Sequence, residues 1–185
     1  MFITRSQEHL LAMLHRFKTI RVDQAERLLQ MIDPSCKAIS ALRALQNGGR
    51  VRIYGPYVTL QDDTVEPEAV ELLDVALLLE PDEPWMIQKS EFPIAVSVYK
   101  RHTDGKLWRY DLCRVKSGQE DILPTMVSVA DTGYRVVVFI LDHPQQCERI
   151  LVPFNHMVTW RDGKSYQFYE GRCQSEKGAC LDKPE

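Results

Sequence analysis

The run "YRVVVFIL" (residues 134–141) constrains this chain more than any other stretch. It is almost uninterruptedly apolar, rich in β-branched residues, and set between Gly133 and Asp142. That pattern reads as a strand buried on both faces. Such a strand cannot stand against solvent, so it demands neighbours in a sheet and cover on each side. It is too short to cross a bilayer, which takes about 20 apolar residues, and no stretch of the chain reaches that length. Its neighbours can be found in the flanking sequence. "FPIAVSVY" (92–99) and "LWRYDLCRV" (107–115) read as two strands joined by the turn His102-Thr103-Asp104-Gly105. A helix is expected around Glu120 to Ala130, burying Ile122, Met126 and Val129. "RILVPF" (149–154) reads as a further strand, and "MVTWRDGKSYQFYE" (157–170) as a hairpin around Asp162-Gly163. The order β-β-α-β argues for an α/β domain with a mixed sheet flanked by helices.

The first third of the chain follows a different rhythm. Ser6 can cap a helix starting near Gln7, with Leu10, Leu11, Leu14 and Phe17 as its buried stripe. A short β-branched piece, Thr19-Ile20-Arg21-Val22, follows. Asp23 with Glu26 reads as a capping-box variant opening a second helix that buries Ala25, Leu28, Leu29 and Ile32. Asp33-Pro34 stops that helix and starts a third, proline being suited to a first turn. In the third, Ala38, Ala41, Leu42 and Leu45 form the apolar face, while Lys37, Ser40, Arg43 and Asn47 fall three or four residues apart on the other. Gly48-Gly49 ends it. "RVRIYGPYVTL" then alternates on either side of a Gly-Pro turn, giving a hairpin rimmed by Arg50, Arg52, Tyr54 and Tyr57.

Charge divides along the same line. Residues 1–60 carry nine Lys/Arg against four Asp/Glu, whereas residues 61–185 carry 14 against 22. The basic part is thus the candidate for a polyanionic partner. Helix, strand, helix, helix, hairpin within about 60 residues, with "ALRALQNGGRVRIYGPYVTL" at its end, resembles the winged-helix (winged helix-turn-helix) superfamily. The resemblance covers about a third of the chain. It implies binding of double-stranded DNA through the third helix and the wing, hence through Lys37, Ser40, Arg43, Asn47, Arg50, Arg52, Tyr54 and Tyr57. Some members of the superfamily bind only protein.

Residues 62–84 reverse the chemistry, with nine Asp/Glu and no Lys or Arg. Val70, Leu73, Ala76 and Leu77 keep helical spacing, so an amphipathic helix is expected over 67–79. Its acidic face would turn away from DNA. Its apolar stripe could pair with its copy in a homodimer or pack on the next domain, and both stay open here. Pro81 and Pro84 mark the boundary. The expected organisation is α+β in two domains: a winged-helix domain over 1–62, an acidic linker helix over 63–84, an α/β domain over 85–170, and a flexible tail over 171–185.

The second domain resembles a degenerate PD-(D/E)XK nuclease-like core, as found behind winged helices in replication-relaxation proteins of plasmids and conjugative elements. The resemblance sets Pro93-Ile94 at the proline-aspartate step, Asp111 at the strand carboxylate and Cys113 at its companion. Metal-dependent phosphodiester cleavage needs clustered carboxylates on Mg²⁺. Ile94 cannot supply one and a thiol is a soft ligand. Asp111 remains, with Lys116, Glu120 and Glu91 in its vicinity. No catalytic residue, metal site or cofactor is therefore assigned. There is no Gly-rich phosphate loop, no GxSxG and no HxxxH spacing. His143 and His156 fall in loop-like contexts that suit solvated histidines. Trp160, Tyr166, Phe168 and Tyr169 read as core and sheet surface. The five cysteines (36, 113, 147, 173, 180) contain no close pair, which suits reduced thiols in the cytoplasm. Arg5, Glu8 and His9 make the start unlike a secretory signal. The function expected is that of a non-enzymatic bacterial DNA-binding protein, and the second resemblance implies a transcriptional or replication and mobilisation accessory factor of a mobile element. The alternatives are a metal-dependent nuclease using Asp111 and a protein-interaction adaptor without DNA binding.

Overall fold

The computed structural model describes residues 3–127, 133–163 and 165–171. The chain is α+β and divides into two compact units, Met1–Lys89 and Ser90–Glu185.

In the first unit, α1 spans Arg5–Phe17. Its cap is Thr4 rather than the expected Ser6. The Gln7 backbone N–H donates to Thr4 Oγ1 at 3.3 Å, and the Thr4 N–H donates to Gln7 Oε1 at 2.9 Å. This reciprocal pair satisfies two groups that the helix end would leave unbonded, so the helix starts earlier. Lys18, at φ 65°, turns the chain sharply into β1 (Thr19–Arg21), and α2 (Val22–Gln30) follows without a loop. The expected Asp23/Glu26 capping box does not form. The Arg21 N–H bonds Gln24 Oε1 at 2.9 Å, Asp23 pairs with the Arg21 guanidinium, and Glu26 serves the next helix. That helix, α3, runs Ala38–Asn47, four residues later than Asp33-Pro34 suggested. Asp33 instead closes a turn by accepting from Ser35 N and Oγ at 3.1 and 2.6 Å. β2 (Val51–Tyr54) and β3 (Tyr57–Leu60) form the expected hairpin, with Gly55 at φ 57° in the turn. The sheet is antiparallel in the order β1-β3-β2, with Val58 facing both Ile20 and Ile53. Leu10, Leu14, Ile20, Leu28, Leu29, Leu42 and Val58 are fully buried, which makes this a packed core.

The acidic segment does form a helix, α4 (Pro67–Leu78), and it packs on β1 and α2 inside the first unit. Arg21 grips Asp74 with two bonds of 2.7 and 2.8 Å, Gln24 donates to Val70 O and Asp74, and Arg27 donates to Leu77 O at 2.8 Å near the helix end. Glu66 N donates to Thr19 Oγ1 at 2.8 Å where the helix begins. Leu72, Val75 and Leu79 are buried along with the expected Val70, Leu73, Ala76 and Leu77, so the helix is apolar on more than one side. A short strand, β4 (Ile87–Lys89), closes the unit, and its Ile87 carbonyl accepts from Arg16.

In the second unit, β5 (Val96–Arg101), β6 (Leu107–Val115), β7 (Arg135–Leu141), β8 (His156–Asp162) and β9 (Ser165–Glu170) lie in sequence order in a mixed sheet. β5 and β6 are antiparallel, β6, β7 and β8 are parallel, and β8 and β9 close as an antiparallel hairpin. β7 matches the run that opened the sequence: Val137, Val138, Phe139, Ile140 and Leu141 are all buried.

Four expectations fail here, the first being the strand over 92–99: β5 begins at Val96, and residues 92–95 lie outside any strand. Residues 120–127 form turns and a 3-10 helix (Pro124–Met126), leaving Ile122 and Met126 exposed, whereas Leu123 and Val127 enter the core. Pro124, within the stretch expected to be helical, removes a donor that an α-helix would use. Val129 lies outside the described residues. Residues 149–154 are not a strand; a 3-10 helix (Pro144–Arg149) runs into an irregular segment that still buries Ile150 and Val152. His156, expected in a loop, is buried at the head of β8. Of the expected tail, residues 172–185 lie outside the described residues.

Candidate nucleic-acid interface

The position of α3 is set from both ends. Glu26 on α2 accepts from the Ala38 N–H at 2.7 Å, placing a carboxylate on the helix N-terminus, where the aligned backbone dipoles favour negative charge. Gly48 and Gly49, the latter at φ 66°, carry the chain out of the helix toward β2. Ala38, Ala41, Leu42 and Leu45 bury the inner face. Lys37, Ser40, Arg43 and Asn47 are all exposed on the other, as their spacing predicts. Sequence reasoning missed Glu26 as the holder of α3. Its carboxylate was assigned to its own helix because capping signals are local patterns, whereas this one spans twelve residues.

The hairpin continues the surface. Arg50 is exposed just before β2, and Arg52 and Tyr54 alternate outward along it. Arg52 Nη1 donates to Tyr54 Oη at 3.3 Å, a contact that raises the guanidinium pKa further and leaves its charge permanent. Tyr57 is half-buried and lies directly across the hairpin from Tyr54. With its amide oxygen turned toward Arg52, Gln61 also accepts from Nε and Nη2 at 3.2 Å each; no sequence pattern marked Gln61 as a support.

These four cations form no salt bridge among the described residues. Elsewhere in the first 60 residues four basic side chains are engaged, while Arg5, exposed at the start of α1, has no ion pair among the described residues. Lys18 pairs with Asp63 at 3.7 Å, Arg21 with Asp23 and Asp74, Arg16 caps the Ile87 carbonyl, and Arg27 caps Leu77. Lys37, Arg43 and Arg50 form no ion pair or side-chain hydrogen bond among the described residues, and Arg52 bonds Tyr54 and Gln61 and feels the charge of Asp62 without a salt bridge to it. Of the acidic residues nearby in sequence, Asp33 accepts from Ser35, Asp63 pairs with Lys18, and Asp74 is held by Arg21 and Gln24.

The carboxylates of the second unit are arranged for structure. Asp111 is fully buried. Its Oδ1 accepts from Arg109 Nε at 2.8 Å and Ser97 Oγ at 2.5 Å, and its Oδ2 from Arg135 Nε at 2.6 Å. A cation seeking Asp111 would have to displace two guanidinium groups. Ile94 and Cys113 are buried in the apolar core, where burial pushes the Cys113 thiol up to about 12 and keeps it protonated. Glu120 receives its own and the Gly118 backbone N–H, which hold its carboxyl below the ordinary range, and it also accepts from Gln146 Nε2 at 2.9 Å. Among the described residues no three His, Cys, Asp or Glu side chains gather closely enough to hold a metal ion. Trp160 and Tyr169 stack at 4.5 Å within the β8–β9 hairpin. Among the described residues no helix is long and apolar enough to cross a membrane.

Compared with known proteins, the chain matches no family model, no curated protein and no solved structure.

Proposed function

We propose that this chain is a non-enzymatic DNA-binding protein whose first unit is a winged helix. In this reading α3 is the recognition helix and the β2–β3 hairpin the wing. The observation that carries the proposal is the segregation of charge. Every Lys and Arg between residues 30 and 60 lies on α3, its cap or the hairpin, is exposed, and forms no salt bridge among the described residues, while Arg16, Lys18, Arg21 and Arg27 are consumed by the fold. Leaving cations unpaired on one surface is of little use to folding, and it is what phosphate contacts require. The order α1-β1-α2-α3-β2-β3 with a β1-β3-β2 sheet supports the winged-helix assignment.

The test is fluorescence anisotropy of labelled duplex DNA at low salt. Wild-type protein is expected to bind, and Lys37→Ala/Arg43→Ala to bind at least tenfold more weakly, because each lost phosphate or base contact removes about 1 kcal/mol or more. No binding above background would end the proposal.

The nuclease reading has less support, since both Asp111 oxygens already accept from arginine. A homodimer through residues 67–79 has less support, because the apolar residues of that segment other than Leu78 and Ala69 are already buried in the single chain. A role as an accessory factor of a mobile element rests on the sequence resemblance of the second unit to the replication-relaxation proteins, and a cytoplasmic location on the widely spaced cysteines.

A further inference from the structure

The exposed side of α3 is narrow and chemically uneven. At 3.6 residues per turn, Ser40, Arg43 and Asn47 fall within an arc of about 60°. That arc lies opposite Ala38, Ala41 and Leu45, which are buried, so these three residues mark the middle of the outward face. Gln46 is exposed but sits to one side. Neither Arg43 nor Asn47 makes a side-chain hydrogen bond among the described residues, so their donors and acceptors are unspent.

Resting on the DNA-binding reading above, we infer that Arg43 and Asn47 are the specificity-determining residues, and that the preferred duplex carries a guanine and an adenine two base pairs apart. The pairing follows from donor geometry. A guanidinium fork presents two parallel N–H groups that match the N7 and O6 acceptors of guanine. An asparagine amide presents one donor and one acceptor, matching N7 and the N6 amino group of adenine. The spacing follows from the helix. Four residues advance about 6 Å along the axis at 1.5 Å each, close to two base steps of about 3.4 Å in B-form DNA. Lys37, half a turn and more away at the helix start, and Arg50, past its end, are left to hold phosphates on either side. The hairpin residues Arg52 and Tyr54 add affinity without entering this two-base code.

The experiment is selection of bound duplexes from a library with a randomised core, followed by sequencing. Wild-type protein is expected to enrich a guanine and an adenine separated by one base pair. Arg43→Lys keeps the charge but loses the fork, so it should still bind while its preference for guanine falls about 5- to 150-fold. Asn47→Ala should lose the adenine preference and keep the guanine. Lys37→Ala and Arg50→Ala should weaken binding and leave the enriched motif unchanged. If wild-type protein retains duplexes but enriches no such pair, or if Arg43→Lys keeps the guanine preference, the inference is overturned while DNA binding stands. If no duplex is retained at low salt, it is the DNA-binding reading itself that fails.

Discussion

At the scale of the residue, the buried carboxylates Asp111 and Glu120 are bonded to neighbouring side chains, whereas the cations on α3 and its hairpin form no salt bridge among the described residues. Asp111 shows the first half. Removing the buried carboxylate that two arginines share takes this charge from both guanidinium groups, so Asp111→Ala should cost about 3 kcal/mol, toward the lower end for a broken buried pair because Arg109 and Arg135 are partly exposed. Urea unfolding followed by tryptophan fluorescence measures it; a loss below 0.5 kcal/mol would mean the network is slack. Cys113 gives a second check. With its thiol held near 12 by burial, it should resist iodoacetamide at pH 8 in the folded protein and react once the chain is unfolded in urea. Mass mapping of the labelled peptides would reveal either outcome. Neither residue's environment was legible in the sequence. Asp111 and Cys113 alternate with apolar residues on a strand, and whether a strand carboxylate meets a metal or an arginine depends on Arg135, 24 residues away.

At the scale of the element, the parts that depend on periodicity were the ones sequence could supply. β6, β7 and the β8–β9 hairpin lie within a residue of where their patterns set them, and α3 presents the four polar residues its spacing implied. The failures share a cause. The helix expected over 120–130 and the strand expected over 149–154 are segments whose apolar residues cover the core as irregular chain. There Leu123, Val127, Ile150 and Val152 are chosen by what lies beneath them rather than by a repeat. Helix starts failed likewise, because Thr4 and Glu26 outcompeted nearer cap candidates. The Glu26 contact to α3 is testable: Glu26→Ala should lower stability by about 1 kcal/mol in urea. Glu26→Gln, which keeps an acceptor but not the charge, should lose less. Equal losses in both variants would show that charge, not the acceptor, matters.

At the scale of the whole molecule, acid should act in two stages. Burial lowers the His156 pKa below its ordinary value, so the unfolded chain takes up a proton first as pH falls below about 6.5, and stability begins to drop there. Asp23, beside Arg21, and Glu120, beneath its backbone N–H donors, have folded pKa values below their unfolded ones. Their contributions are whole at neutral pH and are lost as pH falls through and below the carboxylate range. Urea midpoints measured from pH 8 to pH 3 should be flat above pH 7 and then fall in two steps, and His156→Asn should remove the upper one. A midpoint that rises on acidification would contradict the assignment.

The central claim is that an unpaired cationic surface on α3 and its hairpin binds DNA, and salt reads that surface directly. Three side chains, Lys37, Arg50 and Arg52, should neutralise about three phosphates while Arg43 reads a base, so the logarithm of the duplex association constant should fall against the logarithm of salt with a slope of about −2.7. In Lys37→Ala/Arg43→Ala the slope should shrink to about −1.8. Duplex binding whose slope is untouched by those two substitutions would place the contact elsewhere on the protein, and a slope near zero would show that phosphates are not what it binds.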